Sequence, residues 1–262
     1  MSKYVNTTAH FSSPLKLTLL ALVLLGLAAC TSARQERKDK QAANYNTQLG
    51  TEYMQQGDLA LAKEKLDRAL NEDPDSADVH SARAVLFERM GERDKADAEF
   101  RSALRIAPHD PQTINKYAVY LCSGGRTDEG VKRFLDAAHN PLYRTPEVAY
   151  TNAGVCLRAA KREDEAAANF DRALQLRPDY AEAAFQLATL QFERSQLPAA
   201  RTEIDGFLSN HDATADLLLL GVRVARAQGD RSGAQGFARR LQRDFAGTDQ
   251  ARALATLDHN PG

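Results

Sequence analysis

Small and large apolar residues recur along the chain with a fixed period. Six segments superimpose, entering at Gly57, Gly91, Gly125, Lys161, Ser195 and Gly229, and successive segments are 34, 34, 36, 34 and 34 residues apart. Apolar residues at helical spacing lie before and after each of these points, so each unit is predicted to hold two amphipathic helices, A and B, joined by a tight turn. The units run 43–76, 77–110, 111–144, 147–180, 181–214 and 215–248, with Thr145 and Pro146 as a two-residue insertion. Twelve helices are expected, followed by a tail over 249–262.

Within a unit, residues at positions 8, 20 and 27 are small, position 24 is a large apolar residue and position 32 is Pro. Unit two shows this as Ala84, Ala96, Ala103, Phe100 and Pro108, and unit four as Gly154, Ala166, Ala173, Phe170 and Pro178. Units five and six match less well: Phe207 stands where a small residue is expected, and Val222 and Ala225 occupy the weaker sites of unit six. Small residues let two helices approach while the large one fills the cleft toward the next hairpin, so no unit buries its apolar face alone. Gly57, Gly91 and Gly125 suit a positive φ at the end of helix A. Pro111 and Pro198 suit a first helical turn, and Pro74, Pro108 and Pro178 end second helices.

This pattern resembles the tetratricopeptide repeat. The resemblance implies an all-α fold, a superhelix or α-solenoid of six helical hairpins, with a groove lined by helix A positions 2, 5, 9 and 12. Here that gives Met54, Val85 and Glu88, then Asn115, Val119 and Cys122, then Val155 and Arg158, and finally Phe185 and Phe192. Only Asn115 and Arg158 approximate the basic cluster that a receptor for acidic C-terminal tails requires. An apolar peptide, strand or helix fits this lining better.

The N-terminus departs from the period. Lys3 and Lys16 precede an uncharged stretch from Leu17 to Ala29, a basic region feeding an apolar one, as in an export signal. A helix of that length reaches only about 20 Å against a hydrocarbon core of about 30 Å, so a permanent span fits poorly. Leu27-Ala28-Ala29-Cys30 resembles the lipobox of bacterial lipoproteins, in which the chain is cut before a Cys that becomes lipidated. The alternative is an ordinary buried Cys. Lipidation gives a signal peptide over 1–29, a lipidated flexible tether over 30–42, flexible chain or fraying helix, and attachment to the bilayer through the acyl chains on Cys30. Thr31 follows Cys30 where the lipoproteins' inner-membrane retention signal has Asp, so the resemblance implies sorting to the outer membrane.

Composition narrows the function. With 34 Lys and Arg against 35 Asp and Glu, the net charge of −1 disfavours nucleic acid as a partner. Phosphate-binding loops, nucleotide glycine fingerprints, serine-nucleophile elbows and HExxH are absent, so no enzyme, cofactor or metal is expected. His80, His109, His139 and His211 lack neighbours at ligand spacing, and Asp94, Asp110, Asp128 and Asp164 suit helix caps or first turns. Cys122 and Cys156 fall on adjacent A helices. They form either a disulfide, favoured by an oxidising compartment, or two separately buried thiols.

A lipoprotein signal followed by six such repeats is similar to one family, the type IV pilus biogenesis and stability lipoproteins PilF and PilW, pilotins of the pilus secretin. The resemblance implies a lipid-anchored protein on the periplasmic face of the outer membrane, and a monomer is expected because the groove binds partners without self-association. There it binds the secretin and promotes its localisation and multimerisation for pilus biogenesis and twitching motility. It also implies lipidation of Cys30, a Cys122–Cys156 disulfide and a secretin-binding groove. A periplasmic scaffold for cell-wall or other envelope assemblies, and a holding chaperone for outer-membrane proteins, are the alternatives, because repeats of this kind serve many complexes.

Overall fold

The computed structural model describes residues 14–259, with side chains from residue 34 onward except at 255 and 257–259. Thirteen α-helices and no strands occur among these residues. They are α1 (Pro14–Gln55), α2 (Leu59–Glu72), α3 (Ala77–Arg89), α4 (Arg93–Ile106), α5 (Pro111–Ser123), α6 (Thr127–Ala138) and α7 (Pro146–Ala159). The chain continues with α8 (Glu163–Leu176), α9 (Ala181–Glu193), α10 (Leu197–Asn210), α11 (Ala215–Ala227), α12 (Arg231–Asp244) and α13 (Asp249–His259). They divide into two compact units, one ending at Ile106 and the other starting at Ala107. Each is a stack of the expected hairpins: α1 packs on α2 and α3 on α4 in the first, and α5–α6, α7–α8, α9–α10 and α11–α12 pair in the second.

One turn joins helix A to helix B in all six hairpins. Gly57, Gly91, Gly125 and Gly229 have φ of 82°, 76°, 77° and 75°, and at the same position Lys161 and Ser195 adopt 64° and 59°. Each left-handed residue donates its N–H to the carbonyl three residues back, and the next residue donates to the carbonyl five back, as in Lys161 to Arg158 and Arg162 to Leu157, both at 2.9 Å. These paired bonds satisfy the orphan carbonyls of helix A. Asp58, Asp110 and Asp230 cap the following helices by accepting from Leu61, Thr113 and Gly233 backbone N–H groups. Asp94, Asp128 and Asp164 lie in first turns.

The position-24 residues form the core. Leu66, Phe100, Phe134, Phe170 and Ile204 are at most 1% exposed. Small residues opposite make room for them: a Cβ on Gly154 would lie 2.4 Å from the Phe170 ring, and one on Gly50 2.6 Å from Leu66. Unit six keeps this device but moves it one residue along, because Gly221 faces Phe237, where a Cβ would come within 2.9 Å of the ring. The helices and turn of that hairpin keep the regular spacing, and Ala234 and Leu241 remain buried at positions 20 and 27, so only the glycine–aromatic pair has moved, one residue toward the N-terminus on each helix.

Helix extends beyond the repeats at both ends, over the tether, expected as flexible chain or fraying helix, and within the C-terminal tail. The tether over 30–42 continues α1 as helix, with Gln35–Asp39 and Glu36–Lys40 side-chain pairs one turn apart supporting it. The tail carries α13, whose Leu254 is fully buried against Leu218, Val222 and Leu241, so the last hairpin has a covering helix. The insertion is absorbed by the segment between α6 and α7. There Asn140 donates to the His109 carbonyl at 2.8 Å and accepts from Leu142 N–H at 2.9 Å, Tyr143 is buried, and Pro146 opens α7.

Candidate partner-binding face

The first unit carries Met54, Val85 and Glu88. Met54 is only 4% exposed: it packs in the core with Ala62, Leu66, Ala82 and Leu86, and its carbonyl accepts from Arg89 at 2.6 Å. Position 12 of the first hairpin is therefore roofed by α3, and Met54 is corrected from groove residue to core residue. Val85 is half-buried on the same cluster and Glu88 is partly exposed.

In the second unit α5, α7, α9 and α11 lie side by side. Val119 on α5 is 45% exposed, a high value for a valine flanked by buried Ala118 and Tyr120. Val155 and Arg158 on α7, and Phe185 and Phe192 on α9, are all partly exposed, the phenylalanines resting on the cluster of Ala188, Ile204 and Leu220. Asn115 accepts from the Asn152 amide at 3.4 Å, linking α5 to α7. The sixth unit contributes a residue its weak match gave no reason to expect: Arg223, exposed at position 9 of α11, lies over the Phe192 ring with its guanidinium carbon 5.1 Å from the centroid. The face is apolar at its middle, with guanidinium groups at Arg158 and Arg223.

Cys122 and Cys156 are brought together on α5 and α7, with Cα atoms 5.7 Å apart and sulfurs at a bonding distance of 2.03 Å. The separation lies within the range a disulfide spans. The Cys30 side chain lies outside the described residues.

The first unit also holds an ion network that no motif signalled. Arg83, 8% exposed, donates Nε–H to Glu99 at 2.9 Å and Nη1 to Asp67. His80 places Nδ1 2.5 Å from the other Glu99 oxygen and Nε2 3.0 Å from the Pro74 carbonyl. Both ring nitrogens face acceptors, which only the doubly protonated imidazole satisfies. The hydrogen bond to Glu99 accordingly holds the His80 pKa above its ordinary value against the opposing effect of burial. Burial pushes the Glu99 carboxyl up, but the bonds from His80 and Arg83 outweigh it and hold it below the usual range. The residues are separated by 16 and 19 positions and join α2, α3 and α4. Their chemistry is structural, since every charged group is already compensated. Among the described residues no group of three or more His, Cys, Asp or Glu is placed to hold a metal ion.

Residues 47–111 and 148–180 match tetratricopeptide repeat families. The chain is 31% identical over 236 residues to the type IV pilus assembly protein PilF of Pseudomonas aeruginosa, covering 88% of this chain and 94% of that one. The solved structure of Pseudomonas aeruginosa PilF superimposes with a TM-score of 0.64 at 30% identity, over 84% of this chain and 99% of that one. PilW, described as a widely conserved type IV pilus biogenesis factor, superimposes with a TM-score of 0.65 at 30% identity, over 82% and 99%. With this similarity running nearly the whole length of both partners, the chain belongs to the PilF/PilW family of tetratricopeptide-repeat type IV pilus proteins.

Proposed function

We propose that this protein is a non-enzymatic pilotin, anchored to the periplasmic side of the outer membrane by acyl chains on Cys30, that binds the type IV pilus secretin and promotes its localisation and multimerisation. The observation that carries this reading is the near full-length likeness to PilF of Pseudomonas aeruginosa, a type IV pilus assembly protein, at 31% identity. Two features of the chain support it. The second unit offers a partly apolar A-helix face from Val119 to Phe192 suited to a protein partner, and Cys122 and Cys156 are positioned for a disulfide, the form a thiol pair takes in an oxidising compartment.

Co-purification tests the partner. The chain, solubilised with the outer membrane in mild detergent, is expected to bring the secretin down in preference to other envelope proteins. Recovery mainly with cell-wall enzymes, or with many unfolded outer-membrane proteins and no selectivity, contradicts the proposal.

A further inference from the structure

Two guanidinium groups on the A-helix face of the second unit carry charge that no carboxylate offsets. Arg158, near the end of α7, is partly buried, and its Nη1 is enclosed by protein with no hydrogen-bond partner. Arg223 on α11 is exposed and lies over Phe192. Among the described residues neither has an ion-pair partner, although arginines elsewhere in the same unit do: Arg162 with Asp128 and Glu165, Arg177 with Glu147, Arg194 with Asp164, and Arg201 with Asp205 and Asp230. A guanidinium on a partly exposed face with no counter-ion leaves its reachable N–H groups open to an incoming anion, while the enclosed Nη1 of Arg158 stays within the protein.

The placement of the two arginines defines the ligand. They stand on α7 and α11, either side of α9, which presents Phe185, Thr189 and Phe192 at i, i+4 and i+7, one helical face. Val155 on α7 and the exposed Val119 on α5 continue the apolar strip. Cations thus flank the aromatic surface of α9 and aliphatic surface continues past Arg158 onto α5, whereas a simple anion site would lack the apolar part and a purely hydrophobic groove would lack the arginines.

We propose that this face binds an extended segment of a protein partner in which carboxylates alternate with aliphatic or aromatic side chains. Its carboxylates meet Arg158 and Arg223 in charge-assisted hydrogen bonds, and its apolar side chains pack on Val119, Val155 and Phe185. The carboxylates are internal to the segment, so the basic cluster that clamps a terminal carboxylate is not required. This inference rests on the A-helix face being the partner face, and not on the partner being the secretin.

Short fluorescently labelled peptides of synthetic sequence test it against the full chain in detergent. Peptides alternating Asp with Leu are expected to bind, and those alternating Asn with Leu to bind about tenfold more weakly. Arg158→Gln and Arg223→Gln each weaken the Asp–Leu peptide by about tenfold, reduce its salt dependence and leave the Asn–Leu peptide unchanged. Far-ultraviolet circular dichroism checks that both variants fold. Asn–Leu or Lys–Leu peptides binding as tightly as Asp–Leu overturns the proposal, as does Asp–Leu binding that both variants retain in full. Self-association of the chain that depends on these arginines and is unaffected by the peptide also overturns it, by making a second copy the occupant. Because the peptides contain no secretin sequence, a failed secretin co-purification leaves this result standing, and the reverse also holds.

Discussion

Gly130 and Cys122 face one another too closely for a side chain at residue 130: a Cβ there would lie 2.4 Å from the Cys122 sulfur and 3.0 Å from the Ala118 carbonyl oxygen. The other five hairpins carry Ala at this position, at Ala62, Ala96, Ala166, Ala200 and Ala234. The third hairpin gives up the methyl group because the sulfur that meets Cys156 occupies its place. Gly130→Ala is therefore expected to destabilise the protein by about 1–3 kcal/mol in urea denaturation, the usual cost of overpacking. In a background with both cysteines replaced by serine, the same substitution should cost less. An equal cost in the two backgrounds rejects the sulfur as the reason for the glycine.

The cysteine pair, 34 residues apart, closes a loop for which chain entropy predicts roughly 3–4 kcal/mol of stabilisation. Oxidised and reduced chains are compared by urea denaturation, with gel mobility and thiol titration reporting the bond. The oxidised chain should unfold at higher urea. Two free thiols in protein isolated from the envelope contradict the disulfide.

At the A-to-B turn, Lys161 and Ser195 adopt φ of 64° and 59°, where four other units place Gly. Left-handed backbone costs an L-residue roughly 1–2 kcal/mol, part of which glycine returns as greater freedom of the unfolded chain. Lys161→Gly and Ser195→Gly should each raise stability by about 0.5–1 kcal/mol. Gly91→Ala should lower it, although a Cβ there meets nothing within 4 Å, which isolates the backbone effect from packing.

Much of the fold is legible in the sequence because each repeat states it again. Position 24 is large and position 20 small in five hairpins, and the turn glycines mark the helix ends. What is not legible depends on neighbours outside the unit. Met54 has the register of a surface residue and is buried by α3, which belongs to the next hairpin. Gly221 and Phe237 show that a hairpin can shift its key pair by one residue and keep the contact, a change visible only when both helices are seen together. Arg83 and His80 read as ordinary charges on a helix until folding brings Asp67 and Glu99 to them from separate helices. On the candidate face, Val119 and Arg158 follow from register, whereas Arg223 over Phe192 required the contact itself.

The His80 network gives a signed pH dependence. Protonated His80 has a pKa raised above 6.5, so its contribution is complete below the unfolded value and is lost as pH rises through the folded one. Glu99 and Asp67 have lowered values, so theirs is present above 4.5 and 3.8 and is lost as pH falls through the folded ones. The network is thus fully formed from about pH 4.5 to 6.5. The stability difference between wild type and His80→Gln, from denaturation at several pH values, should be largest in that window and shrink toward pH 9. A difference that grows with rising pH contradicts the assignment.

The pilotin reading meets its most direct test in the amount and position of heat-resistant secretin multimer in fractionated envelopes, compared among wild type, a deletion strain and Cys30→Ala. We expect abundant outer-membrane multimer in the wild type, little in the deletion strain, and reduced or mislocalised multimer when Cys30→Ala removes the anchor. Normal multimer at the outer membrane in the deletion strain contradicts the account.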